Sequence, residues 1–208
     1  MQKLLKELKV LQSGEIGGVI SKRIKEFERV GKAESPDIFK ELCFCLLTAN
    51  YTAEGGIRIQ KAIGDGFLDF PKAKLAKTLK KLGHRFPNAR AGYISEARKY
   101  KGNIGEILTG FESEAEAREW LVKNIKGLGY KEASHFLRNI GYKNLAIVDF
   151  HIVDLLERHK LSERHKTLTK SRYLDTESVL GKISKKAVLS LAELDLYLWY
   201  METGKILK

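Results

Sequence analysis

The sequence predicts an all-α protein, and three observations carry that prediction. Proline is scarce, with 3 in 208 residues, while Lys and Glu run densely through segments whose apolar residues recur at helical spacing. No run sustains the alternation of a half-buried strand. Helix start and stop signals recur along the chain, with no internal repeat and no linker long enough to separate independent domains.

The elements follow in order. Met1 to Val30 reads as helical, interrupted near Gly14, Gly17 and Gly18. Ser35-Pro36-Asp37 opens the next helix, with Pro at the first helical position and an acid beside it. That helix continues through the apolar run from Leu42 to Leu47 and ends at about Ala49. Another starts at Ala53 and stops near Gly64-Asp65-Gly66. Pro71 and Pro87 each open a further helix, the second carrying Arg90, Arg98 and Lys99. Ser113 to Glu116 reads as a capping box that introduces Trp120, Leu121, Val122 and Ile125. After Gly127-Leu128-Gly129 a helix spans about Tyr130 to Ile140, and Gly141 stops it. A further helix is expected from near Val148 to Glu157. Ser184 is expected to cap the last long helix, whose apolar positions include Val188, Leu191, Leu194 and Leu198.

Lys plus Arg total 38 against 26 for Asp plus Glu, a formal net charge of +12. An excess of this size favours a polyanionic partner held through salt-sensitive phosphate contacts. The 2 cysteines, Cys43 and Cys45, stand two apart on a helix and so face different directions. They are expected to be buried free thiols rather than a disulfide or a shared metal site. Free thiols without a secretory signal point to a cytoplasmic, prokaryotic protein, and the charge-rich composition suits a thermophilic source. No apolar run approaches the ~20 residues of a membrane helix, so no membrane partner is expected.

One stretch carries the chemistry. Ile125-Lys126-Gly127-Leu128-Gly129-Tyr130-Lys131 is a helix end, a glycine hairpin and a helix start, and Ile147-Val148-Asp149-Phe150-His151 follows downstream. Two glycines let the backbone turn tightly and present its N–H groups to a phosphate, and the dipole of the following helix favours the same anion. Lys131 falls in the first turn of that helix, where the dipole and desolvation disfavour the ammonium and leave more free amine. A carboxylate at Asp149, held against Lys131, can stabilise positive charge developing on a sugar as its base departs. Many helical proteins join helices through Gly-x-Gly, so the hairpin alone says little. Its combination with Lys131 and Asp149 says more than a chance lysine and a capping aspartate would.

These residues resemble the signature of the helix–hairpin–helix superfamily of DNA glycosylases, a Gly-hydrophobic-Gly hairpin, a lysine two positions later and a Val-Asp-x-His segment. The match falls on Gly127, Leu128, Gly129, Lys131, Val148, Asp149 and His151. The resemblance implies that Lys131 is the nucleophile, Asp149 the catalytic acid, and that lyase activity accompanies base excision. His151 it makes structural, orienting or capping the helix after Asp149. The endonuclease III branch usually carries four cysteines near its C-terminus for an iron–sulfur cluster, and none follows Cys45 here.

Other segments resemble the compact archaeal-type (type 2) 8-oxoguanine DNA glycosylase family. They are Leu46-Leu47-Thr48-Ala49-Asn50, Arg85-Phe86-Pro87-Asn88-Ala89-Arg90, and the end from Trp199 to Lys208. By that resemblance Asn50 fills the gap left by a flipped base, and Arg85 and Phe86 probe the opposite strand. Phe86 is equally suited to a hydrophobic staple before Pro87. Trp199 would be a stacking wall for a purine, or else a core residue of an amphipathic helix. Lys208, through its terminal carboxylate, would accept from N7–H, which 8-oxoguanine has and guanine lacks.

The reading is an all-α, two-lobed helix–hairpin–helix glycosylase fold. Residues 1–50 and 145–208 would form one lobe and 51–144 the other, with the active site in the cleft between them. The expected activity is excision of 8-oxoguanine through a lysine Schiff base, with strand cleavage 3′ to the lesion by β-elimination. The alternatives are a glycosylase/lyase for oxidised pyrimidines and a non-catalytic DNA-binding module. No cofactor or catalytic metal is expected, although the resemblance allows a monovalent ion at the DNA-bound hairpin. The expected partner is double-stranded DNA containing 8-oxoguanine or abasic sites, met by a monomer. Measured on such duplexes, log K is expected to fall with log salt by roughly 0.9 per phosphate contact. A flat salt dependence would overturn the argument from net charge.

Overall fold

A computed structural model describes residues 1–163 and 167–208, and among these thirteen α-helices form and no strand. In chain order the helices are α1 Gln2–Ser13, α2 Glu15–Gly31, α3 Ser35–Thr48, α4 Ala53–Ile63, α5 Gly66–Asp69, α6 Lys72–Lys81 and α7 Pro87–Ala97. A short 3₁₀ turn at Arg98–Tyr100 precedes α8 Ile104–Thr109, α9 Glu114–Asn124, α10 Tyr130–Asn139, α11 Phe150–Arg158, α12 Lys170–Ala187 and α13 Leu191–Thr203. They fall into two compact units, a middle unit of Arg29–Ile140 and a terminal unit of Met1–Glu28 with Gly141–Lys208.

The middle unit is built around α3. Its apolar residues wrap the whole helix, and every residue from Ile38 to Thr48 except Lys40 is buried. A helix with no polar face must be surrounded, and α4, α5, α7, α8 and α10 do so. Glu41 is the charged exception in this core. It accepts from Asn139 Nδ2 at 2.7 Å and Gln60 Nε2 at 3.1 Å, while Arg138 Nη2 donates to Asn139 Oδ1 at 2.9 Å. A buried carboxylate is tolerated because donors replace its water. Cys43 and Cys45 are buried free thiols, as expected, and burial pushes the Cys43 thiol well up from its ordinary value. In the terminal unit α1 packs on α12, and α13 on both α11 and α12. Gln12 Nε2 donates to Ala187 O at 3.1 Å, and Arg158 pairs with Glu202. No helix among the described residues is long and apolar enough to cross a membrane.

Several expectations need correction. The expected lobe boundary at residue 50 moves to Glu28/Arg29, because α3 packs on the helices that follow it. The second boundary falls at Ile140/Gly141 rather than 144/145. Of the early glycines only Gly14 breaks the helix, and Gly17 and Gly18 lie within α2. Ser184 caps nothing. It sits inside α12 and donates to Leu189 O at 2.6 Å, whereas Ser190 caps α13 through a full capping box with Glu193. Val188, expected on that helix's apolar face, is an exposed left-handed residue between the two helices. Val148 precedes α11, whose N-cap is Asp149.

Two glycines of α2 separate close approach from mere composition. A Cβ on Gly31 would lie 2.0 Å from Ile140 O, whereas one on Gly18 meets nothing within 4 Å. Thermal unfolding is therefore expected to show Gly31→Ala destabilised by roughly 1–3 kcal/mol. Gly18→Ala is expected to gain about 0.5–1 kcal/mol, as an exposed helical glycine should.

Candidate active site

The hairpin lies between α9 and α10 in the middle unit. Leu128 N–H donates to Ile125 O at 3.2 Å, closing the turn, and the Leu128 side chain is buried, anchoring it. Gly127 has φ +91°, and a Cβ there would stand 2.4 Å from the Tyr93 ring. Both left-handed backbone and close approach therefore demand glycine. Gly129 differs from expectation. Its φ is −93°, which any residue adopts, and a Cβ would meet only Glu132 Oε2 at 3.3 Å. Gly129 is the N-cap of α10 and, having no side chain, caps none of that helix's first N–H groups. Arg118 ties α9 to α10 beneath them, donating to Ser134 Oγ at 3.2 Å with its guanidinium 5.1 Å from the Tyr130 ring.

Lys131 occupies the first turn of α10 with its side chain 32% exposed, and its Nζ lies 3.9 Å from Glu132 Oε1. Sequence reasoning passed over Glu132, whose spacing carries no signal. Asp149 belongs to the terminal unit. Its Oδ1 accepts from Ile152 N–H at 3.0 Å, an N-cap that satisfies one orphan donor of α11. The extended backbone leading to it is braced by Tyr173, whose hydroxyl donates to Ala146 O at 2.7 Å and accepts from Val148 N–H at 3.2 Å. Tyr173 was also missed, since only the fold brings α12 to residues 146–148. His151 packs edge-on to Trp199 with centroids 5.5 Å apart, so it orients that ring while Asp149 does the capping. Phe150 beside them is 51% exposed. Lys208 is half-buried, following Gly204, whose φ of +69° ends α13.

A second group lies in the middle unit. Asn50 follows the end of α3, is exposed and has φ +57°. Arg85 and Phe86 are also exposed, with the Arg85 guanidinium 5.0 Å from the Phe86 ring, and Phe86 is the N-cap residue of α7. Beneath them His84 and Arg90 are buried, with 4% and 7% exposure. Burial lowers the His84 pKa from its ordinary value, opposed by its bond to Leu47 O and reinforced by the Arg90 charge.

Residues 20–189 match the family model described as 8-oxoguanine DNA glycosylase. The chain belongs to that family. The 8-oxoguanine DNA glycosylase/AP lyase of Methanocaldococcus jannaschii is 54% identical, with 99% of each chain covered. That of Korarchaeum cryptofilum is 52% identical over 99% of this chain and 98% of the relative. The crystal structure of the M. jannaschii 8-oxoguanine glycosylase/lyase in complex with 15mer DNA containing 8-oxoguanine has a TM-score of 0.95 at 53% identity. It covers 99% of this chain and 100% of that one.

In this member of the 8-oxoguanine DNA glycosylase family, the structure brings Asn50, Arg85 and Phe86 together through His84 and Arg90, and Trp199 to His151. Lys131 and Asp149 are carried by different units. The unequal geometry of the two hairpin glycines yields a direct test. Gly127→Ala is expected to lower the melting temperature and weaken binding to undamaged duplex. Gly129→Ala is expected to cost only the loss of a glycine N-cap, about 1 kcal/mol or less. Equal losses would mean that Gly127 is not the turn-forming residue.

Proposed function

We propose that this family member excises 8-oxoguanine from duplex DNA and cleaves the strand, with Lys131 as nucleophile and Asp149 as the carboxylate that stabilises charge on the sugar. The observation that carries the reading is Lys131 in the first turn of the helix that the hairpin opens at Gly129, together with Asp149 as an N-cap in the segment Val148-Asp149-Phe150-His151. The names of the relatives favour 8-oxoguanine over oxidised pyrimidines.

Hairpin N–H groups of Gly127 and Gly129 grip a phosphate, fixing register without reading sequence, while Leu128 N–H holds the turn closed on Ile125 O. The target nucleotide leaves the stack at a cost of a few kcal/mol. Asn50 occupies the gap, Arg85 and Phe86 meet the opposite strand, and Trp199 and Lys208 receive the base. The neutral amine of Lys131 attacks C1′. The glycosidic bond breaks with its electron pair passing to the base, which takes up a proton. Asp149 stabilises the positive charge on the sugar through that step. The C1′ aminal opens to a protonated Schiff base. Loss of a C2′ proton then expels the 3′ phosphate by β-elimination, and water releases the lysine. The hairpin carbonyls are hard neutral oxygens of the kind a monovalent cation takes. Such an ion would steady the phosphate, and no chemical step runs through it.

On 8-oxoguanine duplex, borohydride is expected to trap a covalent adduct that Lys131→Gln abolishes while binding survives. An undiminished adduct in Lys131→Gln would relocate the nucleophile. Asp149→Asn keeps an oxygen to accept from Ile152 N–H, so it should lose excision but not stability. Asp149→Ala should lose both, the cap being worth about 1 kcal/mol.

A further inference from the structure

Leu47 O in the last turn of α3 and Ala49 O at its C-cap lie where the helical ladder ends, and two side chains from one short segment reach them. His84 Nε2 lies 3.0 Å from Leu47 O, and Arg90 Nη2 donates to Ala49 O at 2.5 Å. The same imidazole has a second bond, for Phe86 N–H donates to its Nδ1 at 3.0 Å. A backbone N–H can only donate, so Nδ1 is the acceptor and the proton sits on Nε2. One neutral ring thus joins the end of α3 to the Phe86 backbone. Its face is covered by Tyr51, with centroids 4.4 Å apart, and the Tyr51 hydroxyl donates to Gly83 O at 3.1 Å. Arg58 Nη2 donates to Leu82 O at 3.1 Å. Arg90 also faces the rings of Phe86 and Tyr93, at 5.8 and 5.6 Å.

We propose that His84 and Arg90 are positioning residues that lock the Asn50 turn and the Arg85–Phe86 tip into one rigid wedge, formed before DNA is met. The proposal rests on the roles given above to Asn50, Arg85 and Phe86, and adds what holds them. The locks are buried and the three probes are exposed, with Phe86 at 38%. Asn50 has left-handed backbone, a conformation that asparagine adopts more readily than other residues with a side chain, and it directly follows the locked Ala49 carbonyl. Local fixing has a kinetic use. A wedge already ordered loses little chain entropy on entering the stack, so base extrusion is not slowed by folding the tip at the same moment.

The test uses the full chain with His84→Ala, Arg90→Lys, Asn50→Gly and the double variant Asn50→Gly/Arg90→Lys. Base extrusion is read by fluorescence of 2-aminopurine placed beside 8-oxoguanine in a duplex, and excision under single turnover. The control is β-elimination on a single-stranded oligonucleotide with a preformed abasic site, which has no stack to enter. His84→Ala and Arg90→Lys are expected to slow extrusion and duplex excision about tenfold, the scale of one lost hydrogen bond. The single-strand control should stay within about twofold, far inside that tenfold effect. In the Asn50→Gly background Arg90→Lys should add little, because it acts through that turn. Parallel loss in the single-strand control, no slowing of extrusion, or full additivity with Asn50→Gly would each overturn the proposal. Should His84→Ala not fold, Arg90→Lys, which keeps the charge and loses the fork, decides the matter alone. Failure of the wild-type chain to cleave the control would instead sink the Schiff-base reading, while the fluorescence arm would still report on the wedge.

Discussion

A helix buried on every side must end somewhere, and its last carbonyls must find donors there. In α3 this constraint is acute, because Leu47 and Ala49 are buried and water cannot serve them. Leaving one such carbonyl unpaired costs about 1–3 kcal/mol. His84 and Arg90 meet the demand, and the Arg90 cation also complements the negative end of the helix dipole. Because both come from the segment that carries Arg85 and Phe86, satisfying a folding requirement places an exposed aromatic tip beside the Asn50 turn. The second half of α7 then brings Tyr93 beneath Gly127, so one helix supports the turn, the tip and the hairpin.

The terminal unit uses the same economy of groups. Asp149 is at once the cap of α11 and the carboxylate assigned to the chemistry, and the two uses are compatible. Capping engages Oδ1, and a carboxylate has a second oxygen and capacity for several donors. The cap also fixes the side-chain direction, since its oxygen must stay over the first turn of the helix. Tyr173 extends this control backwards by holding both the carbonyl of Ala146 and the N–H of Val148. Capping and catalysis, which the sequence leaves as competing accounts of Asp149, therefore need not compete.

Much of this protein was legible in its sequence, for local reasons. The hairpin, Lys131 and Asp149 stand out because glycine spacing, a helix start and a capping position are decided within a few residues. Pro36 and Pro87 mark their helices correctly because proline at the first helical position removes an N–H that had no partner. Ser184 misled because one serine resembles another until an acceptor is known, and the pair Ser190 and Glu193 three residues apart was the stronger signal.

The sequence by itself determined the all-helical class and most helix starts, and it singled out Lys131 and Asp149 as candidates for chemistry, since each depends on neighbours along the chain. Only the tertiary structure decided that α3 belongs with the helices after it, and that Gly127 but not Gly129 is required by geometry. It alone joined His84 to Leu47 across 37 residues and Arg90 to Ala49 across 41. The physical reason is the same in each case. Burial and hydrogen-bond satisfaction are settled by groups far apart in sequence, and periodicity records which face of a helix is covered but not what covers it.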